Sequence, residues 1–580
     1  MNLKIINLRA IHNKYNRMPV PVKKIVGQAL VTFLALFCYT GLSLCWVIYG
    51  GSSAQVFKLE YPLVHILAVF LFFPARFKTL PLVIYFLPFV PVFGLYALYD
   101  IFYNLLDRSL RISDFQDFPT LINTYPGMAN TIIIYMIAIF MPTVVSFIKW
   151  EKDVGPLKAL RSIVLRTSAL CLLLFLISTE TFALFQKEYM TLVEWSDARN
   201  IRKNGRFISI VYYHNKRTEA IGLVNNSITS SEQIKSYTKL FPGTVQDKMN
   251  VHIIVLESFI DPRLLKDVNY NRSPLAKDME RFLIENKHFS IVVSPRYGGG
   301  TAQAEFEILT GVHAYAAIES IEFNTMDGFF ISSLVNRLRD YDYFTSAMIA
   351  TDSYCFNSRN AYKSIGFEQT IFLEEDQEFK KTPGDKRIFD GDVYEYNLKK
   401  LKSSLQNGKK PILNYILGMY GHASYRRNID ERPDVIESSH PDKRIDRVAN
   451  QFYYRTKSLA YFLDQLIQID PHSIILVISD HLPPLLNNNI EYKKDKYDNI
   501  ALLLSDTRKT DISGKKYFEI PWIIWDILSG ANNRHGIRNI TNLEMQTIYF
   551  QILAECMGVN AQVIDFKSSR DYPDSLKKIN

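Results

Sequence analysis

The chain contains few cysteines, and no motif pairs them. Its 580 residues include five Cys, with no Cys-x-x-Cys pair and no zinc-ligand spacing, which argues against a zinc ribbon or a dithiol redox centre. Three of them, Cys38, Cys45 and Cys171, fall in apolar runs, where a thiol usually behaves as a small hydrophobic group. Cys355 and Cys556 could form one disulfide outside the cytoplasm, but the sequence does not show whether they meet.

The sequence also lacks a basic stripe of the kind that binds nucleic acid. The net charge is +9, yet the first 188 residues carry 17 Lys/Arg against 9 Asp/Glu, and the rest carries 50 against 49. The larger part is therefore neutral, which argues against a nucleic-acid partner. The positive charge belongs to an apolar N-terminal region and indicates membrane topology.

Long apolar runs are confined to these first 188 residues. A helix needs roughly 20 apolar residues to span a bilayer. One shorter run, which carries His65 and has prolines near its ends, also suits a re-entrant or interfacial segment. The first run is too long for a cleavable signal and lacks a small-residue cleavage site. The predicted spans are 25–49, 61–75, 80–99, 128–148 and 167–185.

Basic loops favour five spans over four. The first 24 residues contain six Lys/Arg and no acid, so the positive-inside rule places the N-terminus in the cytoplasm. With five spans the inner basic segments 1–24, 76–78 and 149–161 carry 12 Lys/Arg, and the outer segments carry 3. Four spans would leave the large C-terminal domain in the cytoplasm. We therefore expect a multi-pass inner-membrane protein with an extracytoplasmic (periplasmic) catalytic domain. The outer loop 100–126 is either a solvated connector or an interfacial helix that presents a lipid.

The rest of the chain has the pattern of an α/β domain. Residues 189–250 predict a linker with a helix over 225–241, and 251–580 predict one large domain. There, short β-branched runs alternate with stretches of helical spacing such as 328–339 and 455–467, which predicts a mainly parallel central sheet. The predicted strands are 251–256, 289–293, 345–349, 412–417 and 474–479.

Two predicted strands end in side chains that can bind a metal. Glu257 follows the first strand, and Asp480 and His481 follow the last. Because ligands bind outside the carboxyl ends of strands in open α/β sheets, the three side chains are expected to converge. Two carboxylates and an imidazole suit Mn²⁺, Mg²⁺ or Zn²⁺. The alternative for each acid is a helix N-cap.

A glycine-rich loop precedes Thr301. Residues 294–311 read SPRYGGGTAQAEFEILTG, a polar loop and three glycines before a predicted helix. Glycines allow close approach to a ligand, and a helix N-terminus attracts an anion. The hydroxyl of Thr301 is therefore expected to attack phosphorus, and the alternative is a plain N-cap threonine.

Four ordered motifs resemble one enzyme family. They are LESF at 256–259, GGGTAQAEFEILTG at 298–311, the glycine–histidine pair of GMYGHASY at 418–425, and SDHLPP at 479–484. Together they resemble the phosphoglycerol transferases of the lipoteichoic acid synthase and periplasmic-glucan group, in the alkaline phosphatase/sulfatase superfamily. The resemblance implies five transmembrane helices followed by an alkaline phosphatase-like (sulfatase-like) domain.

The resemblance also implies roles for single residues. Thr301 would be the nucleophile that takes the phospho head group. His422 would contact the substrate phosphate or the leaving oxygen, and Arg359 would hold the head group. The alternatives are a structural turn histidine and an exposed salt-bridge partner. The implied ligands of one divalent ion, usually Mn²⁺ or Mg²⁺, are Glu257, Thr301, Asp480 and His481.

Two positions depart from the family pattern. Ala350 stands where a histidine is frequent, and Asn357 stands where an aromatic is frequent. The identity of the head group is therefore less well defined by the resemblance than the phosphotransfer reaction.

We expect phosphoglycerol transfer from phosphatidylglycerol to an envelope glycan or glycolipid. The alternatives are phosphoethanolamine transfer from phosphatidylethanolamine and a non-catalytic lipid-binding or regulatory membrane protein, although retention of all four ligands argues against the latter. Arylsulfatase activity is disfavoured, because the segment from Cys355 to Arg359 lacks the proline of the maturation motif.

Overall fold

A computed structural model describes the protein over residues 197–229 and 240–556, together with a few single positions before 197. The five predicted spans lie outside the described residues, apart from such single positions. Within the described part, no helix has both the length and the apolar character needed to cross a bilayer. Contacts divide the chain into two units, Met1–Thr218 and Glu219–Asn580. Short gaps in the second range fall at 285–286, 316–321, 327, 354, 409, 487–488 and 531–541.

Two described helices precede the first strand of the sheet. They are α1 (Asp197–Asn204) and α2 (Arg206–Thr229), which are separated by Gly205. The helix predicted over 225–241 overlaps the end of α2, and residues 240 and 241 form a bend. Residues 230–239 of this prediction lie outside the described residues.

The larger unit is built on one eight-stranded sheet. The first seven strands lie in the order β2-β7-β6-β1-β5-β3-β4, and β8 pairs with β7. The five predicted strands are present within a residue or two of their predicted bounds. The strands are β1 (Asn250–Leu256), β2 (Ser290–Val293), β3 (Phe344–Ile349), β4 (Gln369–Phe372), β5 (Ile412–Gly418), β6 (Ser473–Ser479), β7 (Asp498–Ser505) and β8 (Arg508–Thr510).

The sheet is mixed, with a parallel centre. The pairs β6–β1, β1–β5, β5–β3 and β3–β4 are parallel, which confirms the predicted mainly parallel sheet. β7 pairs antiparallel with β6, β2 and β8, and the sequence analysis missed β4, β7 and β8. β2 consequently lies at an antiparallel edge rather than within the parallel series.

The central strands are apolar on both faces because helices cover the sheet. Every residue of β5 and β6 is buried, as are six of the seven in β1. This pattern is typical of parallel strands between helical layers. The helices of this unit are α3 (Thr301–Thr310), α4 (Leu334–Arg339), α5 (Ser358–Ile365), α6 (Asp390–Asn407), α7 (Lys443–Ile469), α8 (Ile520–Leu528) and α9 (Asn542–Cys556).

Local capping explains two differences from the predicted helices. The helix predicted over 328–339 begins only at Leu334, because the hydroxyl of Ser333 caps it by accepting from Asn336 N. The helix predicted over 455–467 belongs to the 27-residue α7, whose N-cap Asp442 accepts from Arg444 N.

Strand register places the ends of the central strands side by side. Leu256, the last residue of β1, is aligned with Gly418 at the end of β5 and with Ser479 at the end of β6. The next residue of each strand therefore starts a loop at the same edge of the sheet. Neighbouring strands are about 4.8 Å apart, so side chains at these positions can share one ligand.

Candidate active site

Glu257 and Asp480 are the first residues beyond two neighbouring parallel strands. Both are buried, at 3% and 0% exposure. Ser258 connects them, since its backbone N–H donates to Asp480 Oδ1 (2.7 Å) and its hydroxyl donates to Glu257 Oε1 (2.8 Å). Ser258 has φ of 49°, a left-handed conformation that costs a non-glycine residue of the order of 1–3 kcal/mol. The two carboxyl groups are therefore held in place at the expense of local backbone strain.

Thr301 lies against both carboxyl groups. Its hydroxyl is 2.8 Å from Asp480 Oδ2 and 3.1 Å from Glu257 Oε2. It is the first residue of α3, and Gly300 is the N-cap in a left-handed conformation. The alternative of a plain N-cap threonine therefore does not describe this hydroxyl, which contacts carboxyl groups from two strands.

Hydrogen bonds tie the glycine loop to the end of β6. Gly298 N donates to Leu482 O (3.0 Å), and the hydroxyl of Ser294 donates to Asp480 O (2.8 Å). Gly298, Gly299 and Gly300 all have positive φ. This run of positive φ requires glycine, and it turns the chain so that α3 begins at the metal-binding candidates.

His481 presents one ring nitrogen to the same centre. Its Nδ1 lies 2.9 Å from Leu482 O, and because a carbonyl only accepts, Nδ1 carries the proton. Nε2 is then the nitrogen that faces Asp480 Oδ2 (3.3 Å) and Glu257 Oε1 (3.7 Å). A hydrogen bond that fixes the tautomer in this way is typical of metal-binding histidines.

The electrostatics of the site favour a bound cation. Burial and then the negative charge of Glu257 raise the pKa of Asp480. Burial also opposes ionisation of Glu257, but His481, His422 and Ser258 outweigh it and lower the pKa of that carboxyl. Burial disfavours a charge on His481, yet the two carboxyl groups raise its pKa. Two buried acids that compete for one proton are relieved by a divalent ion.

The donor atoms fit such an ion. One ligand atom each from Glu257, Asp480 and His481 lies within 4.8 Å of the others, and the Thr301 oxygen contacts two of the three residues. Carboxylate, hydroxyl and imidazole ligands suit Mn²⁺, Mg²⁺ or Zn²⁺. The convergence predicted from the strand ends and the glycine loop is thus observed.

His422 lies beside this centre on an exposed loop after β5. Its charge is close enough to lower the pKa of Glu257. Its Nδ1 is 2.9 Å from Ala423 O, so Nδ1 carries the proton and Nε2 is available to exchange one. The placement is compatible with the predicted contact to a substrate phosphate.

Arg359 lies at the start of α5 and contacts an acid. Its Nη2 is 2.9 Å from Glu375 Oε2 and donates to the hydroxyl of Ser353 (2.8 Å). Glu375 follows β4, three strand positions from β1, which corresponds to about 14 Å across the sheet. The salt-bridge alternative for Arg359 therefore describes its contacts, and a role in holding a head group remains a prediction.

Asn357 and Ala350 have structural surroundings. The amide of buried Asn357 donates to Phe323 O (2.9 Å) and Met326 O (2.7 Å), which fixes the turn before α4. Ala350 is fully buried at the end of β3. Cys355 is a free thiol, so it forms no disulfide with Cys556.

The sequence analysis missed an arginine on the glycine loop. A Cβ built on Gly300 would lie 2.8 Å from Arg296 Nε, and the charge of Arg296 opposes protonation of His481. No described carboxylate pairs with its guanidinium, and its side chain is half-buried. The sequence signal for Arg296 is weak, because single arginines are common in loops. Its position five residues before Thr301 could have suggested an anion contact.

The analysis also missed Glu305, one helical turn after Thr301. Burial raises the pKa of this carboxyl to about 7, although hydrogen bonds from Tyr362 and Tyr415 act in the opposite direction. Tyr415 belongs to β5 and Tyr362 to α5, so Glu305 anchors α3 to the sheet. Spacing of i, i+4 places it on the same face as Thr301 and could have indicated this role.

Comparisons with known proteins agree with this geometry. The sequence profile of the sulfatase family matches residues 249–543, about half of the chain. A protein of Rhizobium meliloti (strain 1021), named for cyclic beta-1,2-glucan modification, is 24% identical over 371 residues, which cover 63% of this chain and 54% of that protein. The chain thus spans about half the length of this relative.

Two of the solved structures to which the chain is similar have low sequence identity and low TM-scores. The lipoteichoic acid synthase LtaP from Listeria monocytogenes has 16% sequence identity and a TM-score of 0.42. That match covers 53% of this chain and 78% of the LtaP chain. The Streptococcus pyogenes phosphoglycerol transferase GacH, in complex with sn-glycerol-1-phosphate, has 16% sequence identity and a TM-score of 0.41. That match covers 58% of this chain and 91% of the GacH chain. From the profile match, the chain belongs to the sulfatase family of the alkaline phosphatase superfamily.

Proposed function

We propose that the protein is a metal-dependent phosphotransferase that moves a phosphoglycerol head group through a covalent phosphoester on Thr301. The donor is phosphatidylglycerol, and the acceptor is an envelope glycan or glycolipid. The observation that carries the proposal is the Thr301 hydroxyl, which begins a buried helix 2.8 Å from Asp480 and 3.1 Å from Glu257. A helix N-terminus behind a nucleophile also favours the charge of a phosphate.

The site residues divide the chemistry between them. A divalent ion held by Glu257, Asp480, His481 and Thr301 would offset the phosphate charge and lower the pKa of the threonine hydroxyl. Thr301 Oγ1 loses its proton to water and forms a bond to phosphorus, while the bond from phosphorus to the diacylglycerol oxygen breaks. His422 gives that oxygen a proton. An acceptor hydroxyl then transfers its proton to His422 and attacks phosphorus, and the Thr301 oxygen leaves and regains a proton.

The acceptor and the location are supported by separate observations. The Rhizobium meliloti relative is named for modification of a cyclic glucan, which supports a glycan acceptor. The distribution of basic residues among the apolar runs supports an N-terminus in the cytoplasm and a periplasmic domain. A membrane-anchored enzyme on that side has direct access to a phospholipid donor.

Threonine substitutions in the full-length protein test this proposal. We expect Thr301→Ala in detergent micelles with phosphatidylglycerol and Mn²⁺ to lose diacylglycerol release and head-group transfer. Thr301→Ser keeps a hydroxyl and retains reduced activity. Near-wild-type transfer by the alanine variant would contradict the proposed nucleophile.

Transfer of phosphoethanolamine is the second candidate, because Glu375 neutralises the guanidinium of Arg359. An arginine that is already paired does not select one phospho head group over the other at Thr301. Wild-type protein incubated with equal amounts of both lipids distinguishes the candidates, because mass spectrometry separates phosphoglyceryl- from phosphoethanolamine-modified Thr301.

A further inference from the structure

A buried ion pair lies directly beneath the candidate metal centre. Arg455 Nε, from the middle of α7, is 2.6 Å from Oδ2 of Asp390, the first residue of α6. Their side chains are 2% and 0% exposed. Arg455 also lies over the ring of Phe259, at 4.8 Å from its centroid. Neither residue was predicted from the sequence to lie near the site.

Arg455 binds the backbone of a candidate metal ligand. Its Nη1 donates to Glu257 O (3.0 Å). The N–H of Glu257 donates to Gly418 O (2.9 Å), and a Cβ on Gly418 would lie 2.6 Å from Asp390 Oδ1. Arg455 thus binds the carbonyl of Glu257, and Asp390 packs against Gly418, the residue that accepts from the N–H of Glu257.

The same contact supports the loop of His422. A Cβ on Gly421 would overlap both Glu257 O and Arg455 Nη1, so this glycine allows the His422 loop to pack on the carbonyl that Arg455 binds. One turn earlier on α7, Gln451 Nε2 donates to Tyr420 O (3.1 Å). One helix therefore holds the loop of the metal ligand and the loop of the candidate proton donor.

This ion pair is an inefficient way to stabilise a fold. Arg455 Nη2 and Asp390 Oδ1 are buried without a hydrogen-bond partner among the described residues. Buried ion pairs often contribute less stability than apolar residues of similar volume, and incomplete hydrogen bonding makes them less favourable still. The contacts to Glu257 and Gly418 give the pair a positional role instead.

We propose that Arg455 and Asp390 are positioning residues that set the Glu257 carboxylate against His422, so that metal binding and proton transfer depend on one buried ion pair. This inference rests on the proposed function of the site. Partners of metal ligands typically change metal affinity by roughly 10- to 100-fold when replaced. The pair is therefore expected to control affinity for the ion and kcat, with little effect on the KM for lipid.

Matched asparagine substitutions in the full-length protein test the positioning role. Asp390→Asn is compared with Asp470→Asn, which alters the buried His252–Asp470 contact (2.8 Å) at the opposite end of β1. We expect Asp390→Asn to weaken Mn²⁺ binding, measured by calorimetry, and to lower kcat, each about 10-fold or more. Asp470→Asn should change the melting temperature while leaving both quantities within about twofold of wild type.

An apolar double variant separates the positioning role of the ion pair from its contribution to folding stability. Arg455→Met with Asp390→Leu removes both charges, so we expect a melting temperature at or above that of wild type together with the same loss of Mn²⁺ affinity and kcat. Arg455→Lys keeps a positive charge but cannot contact both Asp390 and the carbonyl of Glu257. Its Mn²⁺ affinity should therefore lie between that of the double variant and that of wild type. Wild-type affinity and kcat in the double variant or in Asp390→Asn would overturn the proposal.

Two controls distinguish this failure from failure of the proposed function. If wild-type protein binds Mn²⁺ and Thr301→Ala is inactive, normal behaviour of Asp390→Asn refutes only the positioning role. If wild-type protein binds no Mn²⁺, or Thr301→Ala is active, the proposed function itself is wrong.

Discussion

Replacement of Gly300 by alanine probes whether the glycine loop positions the nucleophile. Gly300 has φ of +88°, and a left-handed conformation costs an alanine about 1–2 kcal/mol. Its added Cβ would lie 2.8 Å from Arg296 Nε and 3.2 Å from Gln303 Oε1. Arg296 Cγ also lies 3.2 Å from that Cβ. The long Arg296 side chain can move aside, so most of the stability cost comes from the backbone.

Gly243 provides a matched control with the same backbone conformation. Its φ is +87°, and a Cβ there would meet no atom within 4 Å. Its carbonyl accepts from Arg337 and Tyr341, just before β3, at the end of the sheet opposite the site. Each alanine variant should therefore lose about 1–2 kcal/mol, which lowers the melting temperature by roughly 2–8 °C.

Only the variant in the glycine loop should lose activity. Relief of the strain at Gly300 moves the start of α3, and a 1 Å displacement of a reacting group costs on the order of 100-fold in rate. Head-group transfer and melting temperature are measured on both variants and on wild type. If Gly300→Ala keeps wild-type kcat while losing as much stability as Gly243→Ala, the loop does not position Thr301 and the reasoning is refuted.

Three further outcomes follow from charges in and around the site. Arg296→Gln should raise the KM for phosphatidylglycerol by roughly 10- to 100-fold, as expected for loss of a charge-assisted hydrogen bond. Arg296→Lys should return the KM close to that of wild type. An unchanged KM in Arg296→Gln would contradict the anion contact. Removal of metal with EDTA should lower the melting temperature, and Mn²⁺ at 100 times its Kd should restore about 2.7 kcal/mol to the free energy of unfolding. Glu257→Gln should abolish this response. A response that persists in the variant would show that the ion binds elsewhere. Hydrogen bonds that the His472 ring donates to Asp247 and Asp506 raise the pKa of this largely exposed histidine. Its small contribution to the free energy of unfolding is therefore complete below about pH 6.5 and is lost as pH rises through the folded-state pKa. Melting curves of His472→Asn should lack that dependence, and identical pH profiles for wild type and variant would contradict it.

The centre of the fold was predictable because its signals are local. β1, β5 and β6 are short apolar runs, and two of them end in residues that can bind metal, so their convergence followed from the rule for parallel strands. The edge was not predictable in the same way. β7 is an equally apolar run, but nothing in its sequence shows that it pairs antiparallel with both β6 and β2.

The residues around the site were harder to assign because their partners are distant in sequence. Arg359 pairs with Glu375 after a different strand, and an isolated arginine gives no sign of that acid. Arg455 binds the backbone of Glu257, which lies 198 positions earlier in the chain. Such contacts depend on how helices pack over the sheet, whereas Thr301 was identified from the glycines immediately before it.

The most direct test of the central claim is the kinetics of the phosphoester on Thr301. Full-length protein with Mn²⁺ is mixed with phosphatidylglycerol, quenched at intervals and digested, and mass spectrometry follows the peptide that contains Thr301. We predict that a phosphoglyceryl adduct forms at this residue at least as fast as kcat and disappears when a glycan acceptor is added. Transfer without any adduct on Thr301, or an adduct that forms more slowly than turnover, would contradict the account.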